Sequence, residues 1–554
     1  MKLMECVPNF SEGRDMAVID AIAASIKEVN GVSLLDVDPG ADTNRTVFTM
    51  AGEPEAVVEA AFQAIKTASE LIDMSKHSGE HPRMGATDVC PFIPISGMTM
   101  EECVEYAKKL GKRVGDELKI PVYLYEHAAS KPEWRNLATV RQGEYEALPA
   151  KAKDPNWKPD FGPHAFNAKS GATAISAREF LIAYNINLNT RDKKKAHDIA
   201  LSIRERGRIK RDANGKMVKD AEGNNVMVPG LFKECKAVGW YIDEYNRAQI
   251  SINLTNYKIT PPHLVLDKVR ELAHDMGIQV TGSELVGLLP KAAILESGKY
   301  YLEKMNESIG IPEKMIMETA IQSMGLAELG DFDLDKKVIE YAIAKEDRLA
   351  NLRITEFCDL LSTDAPAPGG GSVAALCVSM SGALSAMVSN LTIDKKGYED
   401  VQREAHEYAA LGQAIKEDSI HCIDVDTDAF YTMMDAMRLP KKTDEEIAYR
   451  NEQIEKSTQG AINAPLQTLR ISLRALELAE KVAKIGNLNA LSDAGVAALT
   501  ALAAAKAANF NILINIAGVT DKEFEKNTLA EAKKLIARCE EIAAKVEKDV
   551  ESRL

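Results

Sequence analysis

The sequence is poor in paired cysteines and in basic charge, and each shortage excludes a class of protein. Its eight cysteines are scattered over 554 residues with no Cys-x-x-Cys pair, which favours reduced thiols over a disulfide framework. Acidic residues outnumber basic ones by 83 to 68, for a net charge of −15. This balance argues against a nucleic-acid-binding protein, although it is compatible with a local basic pocket for an anionic substrate.

Long hydrophobic runs are also scarce. The N-terminus, Met1 to Cys6, lacks the apolar segment of a secretory signal. The most apolar stretch, Ala494 to Val519, is interrupted by one lysine and three asparagines. We therefore expect a cytoplasmic protein with no membrane span, in which this stretch forms a buried helix.

The order of secondary-structure signals divides the chain into two kinds of structure. In the first 330 residues, strands alternate with amphipathic helices, for example at 181–205 and 248–276, which predicts layered α/β domains. From about residue 349 the strand signal is almost absent, and helices rich in Ala, Leu, Glu and Lys predict a bundle. The predicted segments are an α/β subdomain at 1–180, a second at 181–330, a linker at 331–348 and a helical domain at 349–554.

The segment His77–Phe92 concentrates ionisable side chains between glycines and prolines. These breakers exclude a regular helix or strand, so the ionisable groups lie on a loop. His81 is the candidate general base, because imidazole exchanges protons near neutral pH. A histidine that only hydrogen-bonds to backbone is an equal alternative. A metal site is disfavoured, because His77 and His81 are not on one helix and the His-Glu-x-x-His order is absent.

Two further segments in this half carry candidate binding residues. A strand at 31–38 is predicted to be buried and to end in Asp38, which either holds substrate or forms the turn at Pro39-Gly40. In the strand at 181–189, Asn185, Asn187 and Asn189 share one face. Asn is uncommon in strands, so this face either binds a ligand with amide-like edges or is solvated.

The loop 159–171 precedes that strand and contains two phenylalanines and a lysine. Phe161 and Phe166 could stack on a flat ring, and Lys169 could pair with a carboxylate. The alternative is an ordinary surface loop.

In the helical half, Pro366–Val373 is a glycine loop that opens a helix. Its free backbone N–H groups either bind an anion or form a plain helix cap. It lacks the Gly-Lys-Ser ending of a nucleotide-binding loop.

Helical spacing over 421–437 places Asp426 in an apolar stripe that includes Ile423 and Met437, whereas Asp424 and Asp428 fall on the side predicted to be solvated. Burial raises the pKa of a carboxyl group, so Asp426 is a candidate general acid. The alternative is a buried aspartate satisfied by a helix N-terminus or a lysine.

Together these residues resemble the bifunctional formimidoyltransferase-cyclodeaminases. The matching segments are Glu5–Gly13, Leu34–Asp38, Gly79–Gly85, Gly282–Gly287 and Pro368–Val373. The resemblance covers both halves of the chain. It implies two ferredoxin-like α/β subdomains and a helical domain. It also implies transfer of a formimidoyl group from N-formimidoyl-L-glutamate to tetrahydrofolate, followed by closure to 5,10-methenyltetrahydrofolate with release of ammonia, in histidine degradation.

The resemblance also implies roles for particular residues. His81 matches the transferase's catalytic histidine, Asp426 the cyclodeaminase acid, and Asp38 a residue of the substrate pocket. The folate-binding loop corresponds to Gly162, Pro163, His164, Ala165, Phe166, Asn167, Ala168, Lys169, Ser170 and Gly171. By residue type, Arg83 is a candidate for the substrate carboxylates, and Asn185 and Asn187 are candidates for the pterin.

The expected partners follow from this assignment. They are formimidoylglutamate and (poly)glutamylated folate, with tetrahydrofolate as co-substrate, no metal and no nucleic acid. The run of small residues at 501–508 predicts close helix packing in a homo-oligomer. Two alternatives concern the helical half, which would be either a methenyltetrahydrofolate cyclohydrolase or a non-catalytic oligomerisation scaffold.

Overall fold

The structure is a computed structural model with two compact units. It describes residues 2–41, 43–79, 82–220, 222–343 and 348–554. One unit comprises Met1–Ser297 and Ile321–Ala344, and the other comprises Gly298–Ala320 and Lys345–Leu554. The first is a mixed α/β region and the second is helical, which confirms the two kinds of structure predicted from the sequence.

The described residues form strands in the first unit and helices in both. The strands are β1 (Leu3–Cys6), β2 (Asn9–Phe10), β3 (Val32–Gly40), β4 (Arg45–Gly52), β5 (Thr87–Ser96), β6 (Val122–Glu126), β7 (Thr173–Ala177), β8 (Ile182–Leu188), β9 (Arg208–Ile209), β10 (Met227–Val228), β11 (Cys235–Ile242), β12 (Arg247–Leu254) and β13 (Val280–Val286). The helices are α1 (Met16–Lys27), α2 (Pro54–Leu71), α3 (Met100–Arg113), α4 (Leu137–Val140), α5 (Leu148–Lys151), α6 (Lys193–Ile203), α7 (Pro262–Asp275), α8 (Lys291–Lys304), α9 (Glu313–Met324), α10 (Leu334–Lys337), α11 (Ile339–Ala342), α12 (Ile354–Leu361), α13 (Gly370–Asn390), α14 (Gln402–Arg438), α15 (Asp444–Ile485), α16 (Leu491–Ile516) and α17 (Lys522–Arg553).

The first sheet joins antiparallel and parallel pairs. β1 and β2 lie between β4 and β5 and are antiparallel to both, while β5, β7 and β6 run parallel in that order. The apolar faces of α1, α2 and α3 are buried together with this sheet in one core. Parallel pairing requires a long crossover, and the crossover from β6 to β7 contains the loop at 159–171.

The strand predicted at 31–38 is present as β3, but the prediction that it is buried is wrong. β3 pairs with β4 at the edge of the sheet and continues through Pro39 and Gly40. Asp38 is consequently exposed. Proline is tolerated in an edge strand, because its missing N–H would face solvent.

The second sheet has the order β11-β12-β8-β13 and is antiparallel throughout. α6 follows β8 and α7 follows β12, so the chain order is strand, helix, two strands, helix, strand. The predicted alternation is confirmed in β8, where Ile182, Tyr184, Ile186 and Leu188 are buried.

The helical unit is built around α13 to α17. Its core is rich in alanine, with Ala497, Ala501, Ala504 and Ala508 of α16 all fully or nearly fully buried. Small side chains let neighbouring helices approach closely. Residues 298–320 group with this unit. There the Ser308 hydroxyl donates to Asn390 Oδ1 at 2.7 Å, and Asn390 Nδ2 donates to the Gly310 carbonyl at 2.7 Å.

Among the residues that the structure describes, two helices are long and apolar enough to cross a membrane by length and composition, at 370–390 and 488–516. In the folded chain 61% of the apolar window of the first and 39% of that of the second are buried. The stretch predicted to be a buried helix, 494–519, therefore has an exposed face as well. That face carries Val496, Leu499, Phe510, Leu513 and Ile514.

α13 and α14 make their closest approach at Gly382 and Gly412. A Cβ on Gly412 would lie 2.7 Å from the Gly382 carbonyl oxygen, and a Cβ on Gly382 would lie 2.8 Å from the Gly412 carbonyl oxygen. Both obstructions are backbone atoms, so neither can be relieved by a side-chain rotation.

Gly412→Ala is expected to destabilise the helical unit by about 1–3 kcal/mol, because the added methyl group pushes two helix backbones apart. The matched control is Gly460→Ala in α15, where nothing lies within 4 Å of an added Cβ. That change should stabilise by up to about 1 kcal/mol, since alanine is the better helix former. Thermal unfolding followed by far-ultraviolet circular dichroism measures both, and equal Tm shifts would contradict the assigned helix contact.

Candidate active site

A buried carboxylate organises the polar part of the α/β unit. Asp88, at the start of β5, is 0% exposed. Its Oδ2 accepts hydrogen bonds from Arg45 Nη1 at 2.8 Å and Arg141 Nη2 at 2.5 Å, and its Oδ1 accepts one from the Met84 backbone N–H at 3.1 Å. A buried ion is costly unless paired and hydrogen-bonded. Here one carboxylate is shared by two guanidinium groups and one backbone N–H.

The loop that contains His81 is tied down on both sides of that residue. His81 itself, like Glu80, lies outside the described residues. Before it, Asn44 Nδ2 donates to the Ser78 carbonyl at 2.9 Å, and His77 Nε2 lies 2.9 Å from the Asn44 carbonyl. After it, Asp88 holds the Met84 backbone. The loop is therefore anchored by buried polar contacts at its two ends.

Arg83, predicted to meet substrate carboxylates, contacts two carboxylates of the protein. Its Nη1 donates to Glu144 Oε2 at 3.1 Å and to Glu146 Oε2 at 2.9 Å, and its Nη2 donates to Glu146 Oε1 at 2.7 Å. Its Nε donates to His77 Nδ1 at 3.3 Å. The hydrogen bond from Arg83 lowers the pKa of Glu146, and the contact with Glu146 raises the pKa of Arg83.

The segment 162–171 lies directly against this loop. Gly85 and Gly171 form an antiparallel bridge, and the Ala86 N–H donates to the Ser170 carbonyl at 2.9 Å. The Tyr145 hydroxyl donates to the Ala168 carbonyl at 2.6 Å. Two segments that the sequence analysis singled out separately are thus parts of one site.

The side chains of segment 159–171 differ in their exposure to solvent and in the contacts they already make. Phe166 is 38% exposed, and its ring lies 5.6 Å from that of Tyr145. Phe161 instead packs against α3 in the core, beside Gly111, so it is not placed for stacking. Lys169 Nζ donates to the Glu70 carbonyl at 2.7 Å rather than to a carboxylate.

The asparagines of β8 form a buried network, so the alternative of a solvated face is wrong for both. Asn187 is 0% exposed; its Nδ2 donates to Glu328 Oε2 at 2.7 Å and its Oδ1 accepts from Gln249 Nε2 at 2.9 Å. Asn185, 8% exposed, donates to Glu284 Oε2 at 3.1 Å. Asp38 is exposed on the edge strand β3, and within the described residues no hydrogen bond joins it to the Asp88 cluster.

In the helical unit, Asp426 of α14 lies at the N-terminus of α13. Ser372 Oγ lies 3.3 Å from Asp426 Oδ2, and a Cβ on Gly371 would be 2.0 Å from Asp426 Oδ1. Burial raises the pKa of Asp426, an effect that hydrogen bonds from the side chain and backbone of Ser372 oppose. The glycine loop and the aspartate, found separately in the sequence, thus meet, and the group that faces this helix N-terminus is the carboxyl group of Asp426.

The prediction that Asp424 is solvated is wrong. Asp424 is 7% exposed, and its Oδ2 lies 3.9 Å from Arg348 Nη1. Burial raises its pKa, opposed by Arg348 and by the nearby backbone amides of Leu349 and Ala350. α14 is covered on this side by the 349–351 turn, which a single-stripe pattern does not anticipate. Asp428 is exposed, as predicted.

Met437 was predicted to lie in the buried stripe of the same helix, and this too is wrong. It is 45% exposed, one residue before α14 ends at Arg438.

Family models match nearly the whole chain. They are the formiminotransferase domain, N-terminal subdomain, at residues 3–178, the formiminotransferase domain at 183–344, and formiminotransferase-cyclodeaminase at 353–534. The chain belongs to the formimidoyltransferase-cyclodeaminase family.

Relatives of different lengths match different shares of the chain. A formimidoyltransferase-cyclodeaminase of Dictyostelium discoideum is 42% identical over 98% of both chains. A glutamate formimidoyltransferase of Streptococcus pyogenes is 43% identical over 54% of this chain and 94% of its own. A methenyltetrahydrofolate cyclohydrolase of Methylorubrum extorquens is 37% identical over 37% of this chain and 98% of its own.

Several residues of the α/β site of this family member were not found from the sequence. They are Arg45, Asp88, Arg141, Glu144 and Glu146. Asp88 left a signal, because a charged residue directly before the apolar run from Val89 implies a buried partner. Its two arginine partners lie 43 and 53 positions away, and nothing local marks them. Among the described residues, no group of three or more His, Cys, Asp or Glu side chains could hold a metal ion.

Asp88→Asn is expected to destabilise the α/β unit by about 3–5 kcal/mol, because two guanidinium groups lose their common counter-charge. The chain's three tryptophans, Trp134, Trp157 and Trp240, all lie in this unit, so urea unfolding followed by tryptophan fluorescence reports on it. Asp116→Asn is the control, since its pair with Lys112 is exposed and should change stability by less than about 0.5 kcal/mol. Similar urea midpoints for the Asp88→Asn and Asp116→Asn variants would contradict the organising role of Asp88.

Proposed function

We propose that this chain transfers the formimidoyl group of N-formimidoyl-L-glutamate to tetrahydrofolate and then closes 5-formimidoyltetrahydrofolate to 5,10-methenyltetrahydrofolate with release of ammonia. The observation that carries the proposal is the match of the family models to both halves in one chain. The reaction belongs to histidine degradation, and folate is its co-substrate.

The transfer step is assigned to the α/β unit. N5 of tetrahydrofolate must lose a proton as it attacks the formimidoyl carbon, and His81 is the proposed acceptor. The resulting tetrahedral intermediate expels glutamate. The guanidinium groups of Arg45 and Arg141 at Asp88, together with that of Arg83, support a site for the substrate's carboxylates. Asp38 is proposed to contact the substrate as well.

Folate is proposed to bind against the loop Gly162–Gly171 and the Asn185 and Asn187 face of β8. The exposed ring of Phe166 supports this assignment, as does a small pocket lined by His164, Phe166, Leu148 and Tyr123. Because both amide groups of the asparagines already have protein partners, their part is to shape this surface.

The second step is assigned to the helical unit. N10 attacks the same carbon, and the amino group must be protonated to leave as ammonia. Asp426 is the proposed acid, because burial raises its pKa and so keeps its proton to higher pH. No metal is required for either step as proposed.

The finer architecture is proposed on the same basis. The strand and helix order in the second sheet supports a ferredoxin-like subdomain at 181–330, of which residues 298–320 group with the helical unit. A first ferredoxin-like subdomain at 1–180, a linker at 331–348 and a helical domain at 349–554 are proposed with it. The exposed apolar face of α16 supports a homo-oligomer. The chain is proposed to act in the cytoplasm on (poly)glutamylated folates as a transferase and lyase.

A second candidate concerns the helical half alone. The cyclohydrolase relative favours a unit that interconverts methenyltetrahydrofolate and its hydrolysis product. Ammonia release from 5-formimidoyltetrahydrofolate separates these reactions, because only the cyclodeaminase produces it. A purely structural helical half would release none.

His81→Ala is expected to lower the transfer rate by about 10²- to 10⁴-fold, since a general base is lost. Ammonia release from supplied 5-formimidoyltetrahydrofolate should be retained, which shows that the protein is folded. His274→Ala, an exposed histidine at the end of α7, controls for the loss of an imidazole. Near-normal transfer by His81→Ala would reject the assignment.

Asp426→Asn is expected to abolish ammonia release while transfer continues, because the amide keeps the shape but delivers no proton. In the unmodified protein an acid with a raised pKa is protonated below that pKa, so the rate of ammonia release should fall as pH rises through it. Asp428→Asn is the control, because Asp428 is exposed. Asp424→Asn should chiefly lower stability, since Asp424 is buried beside Arg348. An active Asp426→Asn variant would exclude this acid.

A further inference from the structure

We propose that the Glu146 side chain occupies the guanidinium group of Arg83 until a carboxylate of a glutamate-type substrate replaces it. Glu146 is then a residue that sets the affinity for the acidic substrate. The inference rests on the proposed function for the identity of that substrate, but its geometry comes from the contacts around Arg83.

Arg83 is a nearly buried cation whose hydrogen bonds are directed at carboxylates. Its side chain is 11% exposed. Glu146 accepts two parallel hydrogen bonds from it, from Nη1 at 2.9 Å and from Nη2 at 2.7 Å. This fork geometry is the one in which arginine recognises any carboxylate, including that of a ligand. The γ-carboxylate of a glutamate ligand and that of Glu146 can each accept these two parallel hydrogen bonds from Arg83.

The two glutamates at this fork differ in how firmly they are held. Glu144 accepts the Arg83 backbone N–H as well as Nη1, and its side chain is 40% exposed. Its backbone has a φ of 55° and its N–H donates to the Arg141 carbonyl at 2.7 Å. The Glu146 carboxylate accepts its side-chain hydrogen bonds from Arg83, and the Glu146 side chain is 63% exposed. Glu146 is therefore the partner that can return to water at little cost.

The backbone beside Glu146 does not have to move for this exchange. The Tyr145 N–H donates to the Arg83 carbonyl at 2.9 Å, and its hydroxyl donates to the Ala168 carbonyl at 2.6 Å. Tyr145 thus fixes the chain between the two glutamates. A rotation of the Glu146 side chain is enough to release the guanidinium group of Arg83.

The exchange conserves charge at the fork, because one carboxylate leaves as another arrives. No buried arginine is left without a counter-charge at any stage, which avoids the large penalty of an unpaired buried ion. The consequence is competition, since a ligand that must displace an internal group binds more weakly than one that meets a free site. Removing the charge of Glu146 should therefore tighten binding.

The test is calorimetric titration of the full chain with L-glutamate and with N-formimidoyl-L-glutamate. Glu146→Gln should bind both about two- to five-fold more tightly, a factor that follows from the strength of partly exposed ion pairs. In steady-state kinetics the KM for formimidoylglutamate should fall by a similar factor, and the KM for tetrahydrofolate should stay unchanged.

Glu133→Gln is the matched control, because it removes the same charge from an exposed glutamate elsewhere in the same connection. It should leave the affinity unchanged, which excludes an effect of net charge alone. Weaker binding by Glu146→Gln would show that Glu146 only orients Arg83, and unchanged binding would show no exchange; either result overturns the inference. If the unmodified chain transfers formimidoyl groups, those results leave the proposed function intact. If the unmodified chain shows no transfer but Glu146→Gln still binds glutamate more tightly, the proposed function is overturned and the proposed exchange of carboxylates at Arg83 stands.

Discussion

The carboxylate of Asp88 is the contact on which the α/β site depends. It is fully buried and receives donors from three separate parts of the chain: the start of β4 through Arg45, the crossover after β6 through Arg141, and the backbone of Met84. Sheet packing alone would not fix the loops that connect these parts, because loops bury little apolar surface. A buried ion that requires all of its partners supplies that constraint.

The helical unit solves a similar problem by a different contact. A carboxylate is again brought to backbone donors, but here no arginine is placed against it. Asp426 approaches the first turn of α13 so closely that Gly371 has no room for a Cβ. Its hydrogen bonds from Ser372 only partly offset the cost of burial, so the pKa of Asp426 is raised. The two units therefore place aspartates in different surroundings, since Asp88 is paired with two guanidinium groups and Asp426 with the hydroxyl and backbone of Ser372.

Sequence patterns predicted those parts of the structure that are set by local periodicity. The alternation in β8, the change to helices after residue 349 and the partly buried position of Asp426 all follow from spacing along the chain. The errors have a common cause, since they depend on what covers an element from outside. Asp424 is buried by a turn distant in sequence, Asp38 is exposed because β3 is an edge, and Met437 lies where α14 ends. The partners of Asp88 and Arg83 are unpredictable for the same reason, because tertiary contacts alone create them.

The bridge between Gly85 and Gly171 links the proposed chemistry to the proposed folate loop. The loop after His81 and the segment that begins at Gly162 hydrogen-bond to each other on both sides of that bridge, through Ala172 to Met84 and Ala86 to Ser170. A shift of one segment would break the main-chain hydrogen bonds that join it to the other. Asp88, which holds Met84, therefore constrains both segments at once. The spacing between the segment Met84–Ala86 and the proposed folate loop is thus set by main-chain hydrogen bonds, and the side chains of the two segments can differ without changing it.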